Sequence, residues 1–290
     1  MPDFGIFRGF GSKLFSDKLY AGQLPTQLGA IGSVSLFDSD ALAFFDRVTI
    51  AGGILSTLEK DAINQLVIDL KSYSIWSKMK AIYPMVGASS AACAQNLKSS
   101  SFTGSFSSGW TFSSTGAKPN GTSAFFNTNF LALSNLSRNN HHISFYSRTQ
   151  DSSKNGYNMG VEGNPFTNRS MLTLYFQSVS LKGFINGAFS GGWTSINNSN
   201  TLGLQIGGIY PSNQSKLWFN GTLLATTTPD NNSLNDINYY IGSNNFQGSA
   251  SNFMPHETAF NSIGDGLTNT EASNLYTAVQ AFQTTLSRNV

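Results

Sequence analysis

In 290 residues the chain carries one cysteine, Cys93, so no internal disulfide can staple it. Its neighbours Ala91, Ala92 and Ala94 point to a small buried thiol rather than a nucleophile. Charge is scarce as well. Asp, Glu, Lys and Arg together make up 11% of the residues, less than half of the usual share of about 25%. The net charge is +2 and no basic run stands out, which argues against binding nucleic acid by neutralising phosphates. No run approaches the roughly 20 apolar residues of a membrane span. The opening Met1-Pro2-Asp3-Phe4-Gly5 leads into no continuous apolar stretch, so no signal peptide is expected. Motifs are missing too. There is no Gly-x-Ser-x-Gly elbow, no Cys/His spacing suited to zinc and no strand–loop–Lys phosphate cradle.

Gly, Ser, Thr and Asn fill the space that charge leaves, with aromatics at 13%. That mixture suits many short strands joined by turns, and the aromatics exclude a disordered chain. The strongest local signal is Lys216-Leu217-Trp218-Phe219-Asn220-Gly221-Thr222-Leu223-Leu224-Ala225-Thr226. Asn and Gly tolerate positive φ, so Asn220-Gly221 predicts a type I′ hairpin, closed downstream by Pro229. Asn186-Gly187 is read as the same device, and Asn120-Gly121 as introducing a strand over Thr122–Phe126. Further strands are expected at Phe102–Phe106, Trp110–Phe112, His142–Ser147, Met171–Val179, Lys182–Ile185, Leu202–Ile206 and Ile237–Ile241. Turn signals every 8–15 residues over this region give the spacing of an antiparallel β-sandwich.

Helices flank the strands. A short helix is expected over Ser39–Val48. Ser56-Thr57-Leu58-Glu59 reads as a capping box opening a second helix, and Ile75–Ile82 as a further helical turn or two. Thr268-Asn269-Thr270-Glu271 is a second capping box, followed by apolar residues at helical spacing from Ala272 to Leu286. Residues 1–38 hold neither period 2 nor period 3.6 yet are rich in Phe. They read as an extended docking arm, with Phe4, Phe7, Phe10 and Phe15 as candidate partner contacts. The expected organisation is an arm at 1–38, a helical anchor region at 39–95, and a sandwich with a C-terminal helix at 96–290.

Little in this composition points to catalysis. Hydrolysis of a glycoside needs two facing carboxylates. After residue 100 the only glutamates are Glu162, Glu257 and Glu271, with Glu271 a helix cap and Glu162 in a Gly-rich loop. Adjacent strand residues face opposite ways, so His141 and His142 cannot ligate one ion from one strand. No catalytic residue, cofactor or metal ligand is assigned. Sugar binding remains open through aromatic faces beside Asn-rich loops, with Trp193, Tyr210, Asn197 and Asn213 as candidates.

Two stretches resemble known families. Lys216–Leu223, with Tyr240-Ile241-Gly242 and Ala259–Leu267 before Thr270-Glu271, resembles laminin-G-like, concanavalin A-like jelly rolls over about residues 100–290. Lys71–Gly87, with Asn96-Leu97-Lys98 and Tyr276–Leu286, is similar to stretches in virion structural proteins of tailed bacteriophages. The resemblance implies a mainly β, concanavalin A-like jelly roll in a non-enzymatic structural protein of the virion, as capsid decoration, head fibre or tail component. Its partners would be other virion proteins in a homo-oligomer, by analogy a trimer. A glycan-binding adhesin for the host surface is the alternative, and a glycoside hydrolase the third.

Overall fold

A computed structural model describes residues 37–150, 154–163, 169–173, 181–187, 193–196, 202–210, 213–228 and 234–290. The expected arm contacts Phe4, Phe7, Phe10 and Phe15 lie outside the described residues.

The first helix among the described residues is α1 (Ser39–Ile50), whose N-cap Asp38 accepts a hydrogen bond from the Asp40 amide. Helix α2 (Thr57–Ser72) starts at the expected box: the Ser56 hydroxyl takes the Glu59 amide, and Glu59 returns to the Ser56 amide. The other Glu59 oxygen accepts the Gly87 N–H at 2.7 Å, so the cap also ties down a distant turn. Helix was expected to continue through Ile82. Only a single 3₁₀ turn, Trp76–Lys78, forms there, and Met79–Tyr83 is strand β1. Tertiary pairing overrides local propensity here, because β1 lines up along a late central strand.

Further along run α3 (Ser90–Cys93), β2 (Ser105–Phe106), β3 (Trp110–Ser113), β4 (Gly116–Pro119), β5 (Phe126–Leu131), α4 (Ala132–Asn135), β6 (His141–Ser147) and β7 (Met159–Glu162). Then come β8 (Arg169–Thr173), β9 (Leu181–Gly187), β10 (Trp193–Ile196), β11 (Gly203–Ile209), β12 (Ser215–Phe219) and β13 (Thr222–Thr227). The chain closes with β14 (Asn238–Ile241), β15 (Asn244–Phe246), β16 (Ser249–Ser251), β17 (Thr258–Gly264) and α5 (Asn269–Thr285).

These strands make two sheets. One has the order β13-β12-β11-β6-β17-β4-β3, with β1 also on β17; the other has β10-β9-β8-β7-β14-β5-β2, with β15 and β16 attached. The fold is mainly β and consistent with the expected jelly-roll sandwich. Among the described pairs only β15 on β7 is parallel.

Two cores hold the layers. Phe126, Phe130, Ile143, Phe145, Met159, Val161, Leu217, Tyr239, Ile241 and Ile263 pack between the sheets. Tyr146, Leu204, Ile206, Trp218 and Phe260, on the other face of the first sheet, meet Phe44, Leu66, Leu70, Leu275, Val279 and Phe282 of the helices. The first sheet is therefore sandwiched on both faces. This is why β6, β11, β12 and β17 are buried at every position rather than alternately.

The three Asn-Gly pairs have three fates. Asn220-Gly221 is the expected two-residue hairpin loop: Phe219 pairs with Thr222, and the φ values of 46° and 77° match type I′. Asn186-Gly187 is no turn. Both residues lie in β9, where Gly187 pairs with Arg169. Asn120-Gly121 carries the chain from β4 in one sheet to β5 in the other. Its Asn120 Oδ1 accepts the N–H groups of Thr122, Ser123 and Ala124, so that stretch is a turn and the strand begins at Phe126.

Arg288 closes the structure. It is 1% exposed, and among the described residues none of the salt bridges includes it. Its guanidinium donates to the carbonyls of Met85, Pro84 and Ala259 at 2.7, 2.7 and 2.9 Å, and to Gln283 Oε1 at 2.5 Å. Burial lowers its pKa to about 10, still charged at neutral pH. Cys93 is buried as expected, and burial pushes its thiol up to about 12.

Candidate functional site

Trp193 begins β10 at the edge of the second sheet, its side chain outside the described residues, as is Asn197. Tyr210 follows β11 in the first sheet and lies under Lys78, whose Nζ is 4.9 Å from the ring centroid. Lys78 is held in turn by Glu271 at 2.7 Å, so this face of Tyr210 is occupied. Asn213 stands in the turn into β12 with φ of 52°. Its Oδ1 is buried and has no hydrogen-bond partner.

Asn213 leads to a set of groups that sequence reasoning missed. Ile209 pairs with both His141 and Ser215, and Ser215 pairs with Thr227. Direct cross-strand partners share a face. Ile143, Ile209 and Leu217 belong to the inter-sheet core, so the row His141–Ile209–Ser215–Thr227 is the last rung of that core at one end of the sandwich. Strands lie about 4.8 Å apart, which puts Thr227 beside Ser215 and His141 about 10 Å from it. In an apolar core this rung is polar. His141 Nε2, Ser215 Oγ and Thr227 Oγ1 are all buried without partners, as is Asn213 Oδ1 beside them. A buried polar atom left unpaired costs about 1–3 kcal/mol. Comparable unpaired atoms occur elsewhere among the described residues, at Ser243, Asn244 and Asn261. His141 and Ser215 are fully buried, and Asn213 and Thr227, although half-buried as residues, keep these particular atoms closed to solvent.

The electrostatics are those of a neutral site. Burial holds the His141 imidazole down at about 4, so it is uncharged at neutral pH. As expected, His142 faces the other way. Its Nδ1 meets the Asp265 carbonyl at 2.6 Å and its Nε2 meets Ser262 Oγ at 3.1 Å, with Ser144 Oγ a further 2.6 Å on. This Ser–His chain looks like an activated nucleophile, but all three residues are fully buried beneath the helical layer and no substrate can reach them.

A second polar concentration surrounds the reversal between β14 and β15. Asn244 Nδ2 donates to Glu162 at 2.7 Å, and His256 Nδ1 meets Asn158 Oδ1 at 2.8 Å. Glu162 thus sits on strand β7, not in the expected loop. All four residues are at most 4% exposed, so this cluster is closed to solvent.

The described carboxylates beyond residue 100 have structural partners. Glu162 takes Asn244, Asp236 takes the Ser134 amide and hydroxyl, and Glu257 takes Thr115 and Arg148. Asp265 pairs with Lys80, and Glu271 caps α5 and pairs with Lys78. Among the described residues no three His, Cys, Asp or Glu side chains gather into a metal site.

The helical side has a different surface. A groove of about 460 Å³ runs between Ile54, Leu58, Gly87, Ser114 and Leu286. Ile54 is 81% exposed and Leu58 52%, and Ile50 next to them is 86% exposed. That is an apolar patch with no cover among the described residues.

No protein-family model matches the chain, and no curated protein matches it in sequence. Solved structures do. The chain is similar to domain 4 of AbnA, a GH43 extracellular arabinanase from Geobacillus stearothermophilus, in complex with arabinotriose. The TM-score is 0.50 at 11% identity, over 68% of this chain and 98% of that one. It is also similar to a mutant of Trypanosoma rangeli sialidase displaying trans-sialidase activity, with a TM-score of 0.51 at 11% identity over 76% of this chain and 39% of that one. The CBM40 of Ruminococcus gnavus IT-sialidase, bound to α2,3-sialyllactose, aligns over 45% of this chain and 78% of its own at a TM-score of 0.36 and 14% identity. At such identities the likeness concerns the fold alone.

Proposed function

We propose that this chain is a non-catalytic, glycan-binding β-sandwich and that it serves as a structural protein of a bacteriophage virion. The observation that carries the glycan reading is the sandwich fold that this chain shares, over 68% of its length, with an arabinanase domain solved with arabinotriose. Absence of hydrolysis is the expectation, because each described carboxylate beyond residue 100 already has a structural partner. A glycan array spanning arabinans and bacterial surface oligosaccharides is the test. Specific hits are expected, and a blank array would remove the reading.

The virion setting rests on the phage-like stretches at Lys71–Gly87 and Tyr276–Leu286. The exposed Ile50, Ile54 and Leu58 favour it further, since apolar side chains this bare suit a neighbouring subunit. Mass spectrometry of purified particles should recover the chain at a fixed copy number.

A further inference from the structure

We infer that the groove between Ile54, Leu58 and Leu286 docks an extended peptide of a neighbouring subunit, one that turns bulky apolar side chains towards this chain. This deepens the virion reading and rests on it for the source of the peptide.

The floor of the groove is held from three sides. Met85, Gly87 and Ala88 have φ of 48°, 76° and 44°, a left-handed run that L-amino acids adopt only where their surroundings impose it. Arg288 donates to the Pro84 and Met85 carbonyls at 2.7 Å each. Glu59 Oε1 takes the Gly87 N–H at 2.7 Å, and Cys93 Sγ meets the Val86 carbonyl at 3.3 Å. A Cβ at Gly87 would come 2.8 Å from the Ile54 carbonyl oxygen, so this loop lies directly against the stretch 53–56 that leads into α2. A floor fixed in advance has no ordering to lose when a partner docks. The groove volume of about 460 Å³ falls among those of ligand sites, about 300–1,000 Å³.

Two features identify the occupant. The first is bare backbone. Ile54 and Ala88 are exposed, and among the described residues no hydrogen bond engages the main chain of either. Covering such groups without giving them partners is costly. A lipid chain would do that. An extended peptide brings its own N–H and C=O groups to them, while its alternate side chains enter the groove. The second is charge. Val48–Leu58 holds no charged residue. Glu59 is the one ionisable residue among the described residues that line the groove. Its Oε2 is taken by the Ser56 amide and hydroxyl, and its Oε1 by Gly87. The groove thus has no spare charge to answer another, and the side chains that enter it are apolar ones, against Ile54, Leu58 and Leu286.

A displayed library of random octapeptides, panned on the whole chain, tests this. Enriched sequences should carry Phe, Leu, Ile or Trp at alternate positions. The best of them, as a labelled synthetic peptide read by fluorescence anisotropy, should bind Ile54→Asp about tenfold more weakly. The melting temperature of that variant should not change, because the side chain is already in water. Methylating the backbone nitrogens along one edge of the peptide should also weaken binding about tenfold. No enrichment, enrichment of charged sequences, or binding that Ile54→Asp leaves untouched would overturn the inference; recovery of the chain from purified particles would then keep the virion setting without it. Full binding by the methylated peptide would reduce strand docking to apolar contact and overturn it as well. Vesicles of neutral phosphatidylcholine should leave the chain free, and capture on them would make this face a lipid surface instead.

Discussion

Arg288 brings a positive charge into the core and donates its hydrogen bonds to three carbonyls and one amide oxygen. Replacing it with Met would leave the Pro84 and Met85 carbonyls and Gln283 Oε1 buried without this donor, while the Ala259 carbonyl would keep Gln283 Nε2. The expected loss is about 3 kcal/mol or more, read as a fall in the urea midpoint. The paired histidines act at the same scale. Burial holds both His141 and His142 at about 4, against about 6.5 in an unfolded chain. Between those values the unfolded chain takes up protons that the folded chain refuses. Their contribution is complete above about pH 6.5 and is lost as the pH falls towards 4, on the order of 3 kcal/mol for each histidine. Urea titrations from pH 7 to pH 4.5 should show a steep decline, and a flat profile would mean that the imidazoles are charged in the native state.

Turns and caps decide matters one level up. Gly221 sits at φ 77°, and a Cβ there would come 2.9 Å from the Tyr276 ring. Gly221→Ala should therefore cost about 1–2 kcal/mol, from the left-handed backbone together with the displaced α5 contact. Ser56→Ala breaks the α2 capping box and should cost about 1 kcal/mol; either change can be read by thermal melting. The capping boxes and the Asn220-Gly221 hairpin were legible because each is a local pattern with one local solution. The partners of Ser215 were not. A regular hairpin from Phe219↔Thr222 would set Ser215 opposite Thr226. A bulge between Leu217 and Trp218 shifts the register by one, bringing Thr227 to Ser215 instead. No residue type announces that bulge, so the polar row was hidden although its hairpin was plain. Asn186-Gly187 shows the converse: a good turn pair was overruled by ladders on both sides of β9.

For the molecule as a whole, the alternation of strands and turns revealed a sandwich but not its third layer. Sheet residues buried on both faces lose the period of two, and β1 was read as helix for want of it. The polar rung belongs to the inter-sheet core, whereas Ile50, Ile54 and Leu58 belong to the helical layer. Ile54→Asp should change stability by no more than about 0.5 kcal/mol, because the side chain is already in water. It should nevertheless lower the copy number in purified particles, and unaltered incorporation would release the helical layer from any anchoring role.

The position of β17 also bears on how the protein is made. It lies between β6 and the pair β1 and β4, yet its residues come from Thr258–Gly264. During synthesis β6 must leave the ribosome more than a hundred residues ahead of this neighbour, with one long edge bare. The nascent chain is then a risk to itself and to copies on the same messenger, and a chaperone that shields strand edges should raise the yield of folded protein.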